Sequence, residues 1–493
     1  MINDIVPFNG RNIVDITKLT HDQLNAYTEL IQWINTPYYE NDSKRALVGP
    51  AGTGKTYLVK ALIRNCNLTF SQIGLAAPTH KACRVLSESI SIPNIKVSTL
   101  QSDLGLRLNF DVDDFDINNP PFDPRGKIKI DKFKLYIIDE SSMINKGLCT
   151  FLEKVCHTHN CKVLYIGDSY QLPPVNEKRS AAFVGIKMCK LTQIVRQEDD
   201  NPVRLLLDIL RDDIKNNRNN FLAYISRTKS KFDDNLVKGF ECCDYNEFCN
   251  KILTNFGDEQ ITKNVDFVKM IAYTNTIVSS WNKFIRKNTI VSADKSIVTK
   301  DDLFISYVTL VDEFNSIIMQ NSEEYIVHDV VNYVHPKYQL KGFMVKFQAI
   351  HGGAVTPPKF IIDHTDNFTI NNYVRICNQL IQAAKTANRF TRPTRWKEYY
   401  NFKESCMLLC NVRNSTGTIN YPRDIDYGFA LTAHKSQGST FDTVFVDVED
   451  IVYDKYGHPY TNIDEVRRRL YVACSRCKNK LYLKWKYRIN ANR

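Results

Sequence analysis

The run Leu47-Val-Gly-Pro-Ala-Gly-Thr-Gly-Lys-Thr56 constrains this chain more than any other stretch. It reads as an apolar strand end, a glycine-rich turn, and Lys55-Thr56 opening a helix that continues Tyr57-Leu-Val-Lys-Ala-Leu-Ile63. The spacing G-x-x-x-x-G-K-T is that of a phosphate-binding loop. Gly49, Gly52 and Gly54 let backbone N–H groups turn inward around nucleotide phosphates, with Pro50, Ala51 and Thr53 as the remaining members of the loop. Lys55 then neutralises β- and γ-phosphate oxygens, the Thr56 hydroxyl takes a position on Mg²⁺, and the helix N-terminus adds partial positive charge. A loop of this kind belongs to an α/β fold.

The strands that follow end in polar residues, where open α/β sheets hold their ligands. Lys134-Leu-Tyr-Ile-Ile-Asp-Glu-Ser-Ser-Met143 is an apolar parallel strand capped by two carboxylates. Asp139 is placed to hold Mg²⁺ through water, and Glu140 to orient and deprotonate an attacking water. Gly167-Asp-Ser-Tyr-Gln171 closes the next strand, with Asp168 and Gln171 as candidate γ-phosphate sensors, and Arg196 is a candidate arginine finger. Gln23, in the first turn of a helix capped by Thr20, offers an amide to an adenine edge. Pro78-Thr-His-Lys81 ends another short buried strand, where Thr79 and the backbone suit a sugar-phosphate chain with His80 and Lys81 nearby; Ser98-Thr-Leu-Gln-Ser102 is a second contact of that kind.

With 493 residues the chain has room for several domains, and 65 Lys+Arg against 54 Asp+Glu leave a charge of +11 that favours a polyanionic partner. The opening residues do not resemble a signal peptide and no run approaches the ~18 apolar residues of a membrane span, so an intracellular, cytoplasmic protein with reduced thiols is expected. Cys156, His157, His159 and Cys161 fall within six residues, too cramped for the usual zinc frameworks, and read as a helix end. Residues 103–134 are turn-rich and read as an insertion carrying Phe110, Phe115 and Phe122. Residues 301–424 read as a separate unit, with strand patterns at 324–334 and 342–350 and a helical pattern at 371–387.

Gln23, Gly49 to Thr56, Ala77-Pro-Thr-His-Lys81, Ser98 to Ser102, Asp139-Glu140, Gly167 to Gln171 and Arg196 occur in the order of the helicase motifs of superfamily 1. The order continues with Ala430-Leu-Thr-Ala-His-Lys-Ser-Gln-Gly-Ser-Thr-Phe-Asp442 and Leu470-Tyr-Val-Ala-Cys-Ser-Arg-Cys477. The last motif usually carries Thr before its Arg, here Ser475 before Arg476. The chain resembles the RecD/Dda-type branch, superfamily 1B. Ala272 to Arg286 and Trp396 to Lys403 extend the likeness toward Dda-like helicases.

The resemblance implies two RecA-like P-loop NTPase domains with an inserted β-hairpin pin and an inserted SH3-like β-barrel with a helical extension. The expected division is 1–102 with 135–196 as the first motor domain and 103–134 as the pin. Residues 197–300 with 425–493 then form the second motor domain, and 301–424 the accessory domain. By the same likeness Arg476 is a second arginine finger, Gly438 borders the nucleotide, and Thr432, His434 and Lys435 join Pro78, Thr79, His80, Lys81, Ser98 and Thr99 on nucleic acid. The strand-splitting wedge is Phe115 or Phe122. The activity implied is ATP- and Mg²⁺-dependent 5′-to-3′ unwinding of DNA by a monomer in phage or viral replication or recombination. Its partners would be single-stranded DNA, single-strand/duplex junctions and single-strand-binding or replication proteins, with no membrane. A translocase without strand separation and an RNA helicase of the same superfamily share these motifs.

Overall fold

A computed structural model describes residues 14–108, 122–124, 126–174, 177–195, 201–264, 266–311, 317–350, 354–414 and 416–486. Apolar side chains that alternate along the strands generate two parallel sheets, each covered by helices on both faces, because a strand buried on both sides must send successive residues into opposite cores. On Lys44–Val48, Leu47 enters one core while Ala46 and Val48 enter the other; on Lys162–Gly167, Leu164 and Ile166 divide from Val163 and Tyr165 in the same way.

The first sheet runs in the order Val97–Thr99, Ile73–Ala77, Leu135–Ile138, Lys162–Gly167, Lys44–Val48, Lys187–Lys190, all parallel. The loop strand is thus internal, two places over from Leu135–Ile138, and their carboxyl ends open on the same edge. The second sheet runs Ala430–Thr432, Val268–Ala272, Phe441–Asp447, Cys477–Lys484, Gly239–Cys243, Ser230–Phe232, parallel except for the last, antiparallel strand.

A third, antiparallel sheet has the order Lys359–Ile362, Lys341–Ala349, Glu324–Val334, Leu303–Ser306, Ile425–Tyr427. Against it pack the helices Asn367–Thr386 and Arg392–Ser405, joined through Tyr373, Cys377, Trp396, Tyr399 and Phe402. Strand Ile425–Tyr427, which the sequence boundary assigned to the second motor domain, pairs here with Leu303–Ser306 instead, because its backbone completes that antiparallel ladder.

In the first insertion, Leu106–Leu108 pairs antiparallel with Phe122–Pro124. Its C-terminal flank returns to the first core, where Ile130 is fully buried, so the hairpin proper is shorter than residues 103–134. Phe110 and Phe115 lie outside the described residues.

Candidate nucleotide site and nucleic-acid track

The phosphate loop is shaped by close backbone approach. Gly54 is the N-cap of helix Lys55–Asn65 with φ 74°, a left-handed conformation that suits glycine, and a Cβ there would collide with Gln23 Nε2. A Cβ on Gly49 would lie 2.8 Å from both Leu191 O and Thr53 Oγ1. No side chain caps this helix, so its first N–H groups are left for an anion. Lys55 Nζ donates to the carbonyls of Gly49 at 2.7 Å and Pro50 at 2.9 Å, which curls the ammonium back over the loop. Thr53 Oγ1 donates to Pro50 O at 2.9 Å and stiffens the same turn.

Gln23 serves this loop. It is the N3 residue of a reciprocal capping box with Thr20, its Oε1 accepting from Thr20 N at 3.0 Å, and its Nε2 donates to Thr53 O at 2.9 Å. Its amide oxygen is therefore committed within the protein, and one amide hydrogen remains for a base.

Asp139 and Glu140 stand at the carboxyl end of Leu135–Ile138. Asp139 Oδ1 accepts from the Glu140 N–H at 2.9 Å. Glu140 adopts φ 49°, a strained backbone for a non-glycine residue of the kind that concentrates at functional sites. Burial raises the Asp139 carboxyl above its ordinary range, opposed by the Glu140 N–H and the Lys55 ammonium. Glu140 is pushed up to about 7 by burial and then by neighbouring Asp139, with Arg476 and Lys55 pulling it down.

Arg476 comes from the second sheet's side. It ends the helix Ile463–Ser475, and its guanidinium donates to Ser439 O at 3.1 Å and Val472 O at 3.1 Å. Gly438, with φ 74°, faces across to the first sheet: a Cβ there would sit 3.7 Å from Ala82 Cβ and 4.0 Å from Glu140 Oε1.

The turn 168–172 is bound directly to the second half of the molecule. Tyr471 OH donates to Asp168 Oδ2 at 2.7 Å, and Asp168 Oδ1 accepts from Tyr170 N at 2.9 Å. Arg468 donates to Ser169 O at 2.7 Å and Gln171 O at 3.3 Å. Gln437 Nε2 reaches Leu172 O at 3.2 Å and Gln171 Oε1 at 3.4 Å. Tyr471 and Gln437 lie inside the motif runs read from sequence but were given no role there, and Arg468 lies two residues before the last of those runs. Their spacing gives no sign that they cross to a turn some 270 to 300 residues earlier.

The candidate nucleic-acid residues are placed unevenly. Thr79 caps the helix His80–Ile90, accepting from Ala82 N at 3.2 Å. Pro78 and His80 stay partly exposed, with burial lowering the His80 imidazole below its ordinary value. Across the cleft, Thr432 Oγ1 accepts from Lys435 N at 3.2 Å. His434 lies 6.4 Å from the Tyr273 ring, its imidazole lowered by burial and by Arg469. The Arg469 guanidinium lies 3.4 Å from the Tyr273 ring centre, and Tyr460 meets that ring edge-on.

Four of these residues are engaged within the protein. Ser98 Oγ donates to Asp103 Oδ2 at 2.6 Å, and Thr99 caps the short helix Leu100–Asp103. Lys81 faces the Glu324 carboxylate at 3.5 Å. Lys435 Nζ is buried 3.4 Å from the Tyr307 ring centre, and burial, with Arg423 nearby, lowers its ammonium to about 8.

Arg196 and Phe115 lie outside the described residues, as does the side chain of Phe122. Among the described residues no three His, Cys, Asp or Glu side chains converge as metal ligands. Near the helix end, Cys156 and Cys161 are buried while the His157 ring meets Tyr38 OH at 3.1 Å. Among the described residues, no helix is long and apolar enough to cross a membrane.

A glycine-rich loop opening a helix, two carboxylates at the end of the strand two places over, and an arginine brought in from a second parallel sheet give the fold of the P-loop NTPases, with two RecA-like halves. Comparison with known proteins narrows the class. Residues 19–228 match the family model of an AAA domain, and residues 427–484 match that of the UvrD-like helicase C-terminal domain. An uncharacterized protein of Acanthamoeba polyphaga mimivirus is 24% identical over 94% of this chain and 98% of its own length. The ATP-dependent RecD2 DNA helicase of Deinococcus radiodurans is 32% identical over 163 residues, covering 32% of this chain and 20% of that protein. Among solved structures, the Pif1 helicase from Bacteroides in complex with ADP-AlF3 and ssDNA is 17% identical, with TM-score 0.46 over 94% of this chain and 92% of that one. The Pif1 helicase from Candida albicans is 16% identical, with TM-score 0.47 over 95% of each chain. The chain thus carries an AAA domain over residues 19–228 and a UvrD-like helicase C-terminal domain over residues 427–484, and over part of its length it is similar to a RecD2 DNA helicase.

Proposed function

We propose that this protein is an ATP-dependent DNA helicase that moves 5′ to 3′ along single-stranded DNA and separates duplex DNA ahead of it. The observation that carries the reading is the meeting of the two halves at Glu140: a Cβ on Gly438, from the second sheet's side, would sit 4.0 Å from Glu140 Oε1, and the Lys55 and Arg476 charges act on that carboxyl from either side. A nucleotide clamped there has its phosphates neutralised by Lys55 and the N–H groups of the loop. Glu140 takes a proton from the attacking water, and Arg476, with Arg196 as its partner, stabilises charge on the transferring phosphoryl group.

The residues present suit Mg²⁺. Thr56 opens the helix beside the loop, and among the described residues neither Asp139 nor Glu140 has an ion-pair partner within contact distance. Thr56 and Asp139 would hold the metal, which when bound neutralises the β- and γ-oxygens. The turn 168–172, tied to Tyr471, Arg468 and Gln437, passes closure at the nucleotide to the second sheet. Domain closure on ATP and opening after hydrolysis then shift a single strand held at Thr79, His80, Thr432 and His434.

The boundaries proposed are those of two motor domains with the hairpin Leu106–Leu108 and Phe122–Pro124 as the root of the pin, and the antiparallel unit as an SH3-like accessory domain. The near-full-length likeness to a mimivirus protein supports a viral setting, in which the role we propose is DNA replication or recombination. A partial duplex with a 5′ or a 3′ tail, assayed with ATP and Mg²⁺ beside Lys55→Ala, tests the whole reading. Unwinding from the 5′ tail alone, lost in the variant, is expected; unwinding from the 3′ tail alone refutes the polarity. Nucleic-acid-stimulated hydrolysis with no strand separation from either tail refutes the pin and leaves a translocase.

A further inference from the structure

An acidic pair at the head of strand Glu324–Val334 reaches three parts of the molecule at once. Glu324 is buried and accepts from Lys269 Nζ at 2.5 Å, a lysine fully buried in the second sheet. Its other oxygen lies 3.5 Å from Lys81 Nζ, in the first turn of the helix His80–Ile90. Glu323 pairs with Arg84 one turn further along that helix at 2.5 Å. Both Lys81 and Lys269 also lie over the Phe441 ring, at 5.2 and 5.4 Å. The cations along one side of the helix His80–Ile90, next to Thr79, are thus met by carboxylates of the chain's own accessory unit.

Resting on the proposed track along Thr79 and His80, we infer that Glu323 and Glu324 are positioning residues that occupy Lys81 and Arg84 in place of nucleic-acid phosphates, and yield them when a strand binds. The distances favour such an exchange. Glu324 has its short contact with Lys269 and only a long one with Lys81. Losing Lys81 to a phosphate leaves Glu324 paired and creates no orphaned buried charge, the outcome that makes breaking a buried ion pair expensive. Arg84, a quarter exposed at its side chain, keeps the water access that a phosphate needs to reach it. Exchange at this point also loosens the accessory unit from the first sheet while its bond to the second sheet holds. Strand binding is thereby coupled to relative movement of the two halves.

The test measures binding of fluorescent oligo(dT) by anisotropy, without nucleotide, for the full chain, Glu323→Gln and Glu324→Gln, together with the oligo(dT) concentration for half-maximal ATPase and a thermal melt. Removing the competing charge is expected to tighten binding roughly three- to tenfold and lower the half-maximal concentration in parallel. A brace with no bearing on the track would lower the melting temperature and leave the affinity unchanged. Unchanged or weaker affinity in the variants that fold therefore overturns the inference. Glu323→Gln carries the test if loss of the Glu324 charge beside buried Lys269 prevents folding. If the unaltered chain fails to bind oligo(dT), the track itself falls and the inference with it; binding by the unaltered chain with no gain in the variants refutes the inference alone.

Discussion

Replacing Tyr471 by Phe removes one oxygen atom from the junction between the motor halves, and the structure sets the size of the effect. The Tyr471 hydroxyl is 2.7 Å from Asp168 Oδ2, and the two residues are 1% and 2% exposed. The variant keeps the aromatic body and its tilted contact with Tyr170 at 6.0 Å, so little packing is lost. It leaves a buried carboxylate oxygen unpaired, while Oδ1 keeps its bond from Tyr170 N. A hydrogen bond to a charged group under these conditions contributes about 1.5–3 kcal/mol. Arg468 and Gln437 still hold the turn, so the halves stay joined, but the arrangement with the turn 168–172 docked against the helix Ile463–Ser475 loses that amount. This shifts its population relative to open forms roughly 10- to 150-fold. Hydrolysis needs Arg476 brought to the Glu140 side, so kcat for nucleic-acid-stimulated ATPase should fall at least about fivefold while ATP affinity in the absence of nucleic acid changes little. A kcat and a half-saturating oligo(dT) concentration both within twofold of the unaltered protein would refute the coupling role given to this bond.

Glu140, pushed up to about 7 by burial and Asp139 in the free chain, must be ionised to act as a base, so kcat/KM for ATP hydrolysis should rise with pH through about 7, and Glu140→Gln should abolish both the rate and its pH dependence. The same shift has a stability consequence. Its folded value lies above the unfolded 4.5, so the folded chain keeps a proton that the unfolded chain has released, and stability falls as pH rises from about 4.5 to about 7. Glu140→Gln should flatten that part of the urea-midpoint profile; an unchanged profile would contradict the burial assigned to this carboxyl. Gln23→Ala loses the capping box and the bond to Thr53 O, about 1–3 kcal/mol at the root of the loop. Weaker binding of ATP and GTP alike is expected, whereas lost discrimination between them at unchanged stability would make Gln23 a base reader instead. Arg476→Ala should lower kcat about a thousandfold with nucleotide affinity within a few-fold, measured by single-turnover hydrolysis. A loss mainly in affinity would argue against an arginine finger.

What could be read without coordinates was local. A glycine-rich turn, a lysine at a helix start and a carboxylate pair at the end of an apolar strand are short segments whose backbone conformation and chemistry are set by near neighbours. The loop, the strand ending at Asp139-Glu140 and the helix capped by Thr20 were therefore legible residue by residue. The strand Glu324–Val334 agrees with its sequence pattern at both ends because β-favouring residues such as Tyr325, Ile326, Val327, Val330 and Val331 run between turn residues, although a bulge between Val327 and Asp329 interrupts its pairing. Ile425–Tyr427 was assigned to the wrong unit because a three-residue strand takes its partner from tertiary context.

The long-range partners were decided by the tertiary structure alone. Lys81 and Glu324 are 243 residues apart, and Asp168 and Tyr471 are 303 apart. No periodicity connects such positions, since a charge or a hydroxyl on a helix face reads identically whether it meets water, a phosphate or a carboxylate brought in by another sheet. So it is that Lys81, by sequence a contact for nucleic acid, rests against an acidic pair, and Gln23, by sequence a reader of adenine, holds the phosphate loop. The amino-acid order determined which chemistry the chain can perform; the packing of three sheets decided which of those groups are free to perform it, because burial and a distant counter-charge set whether a polar side chain is available.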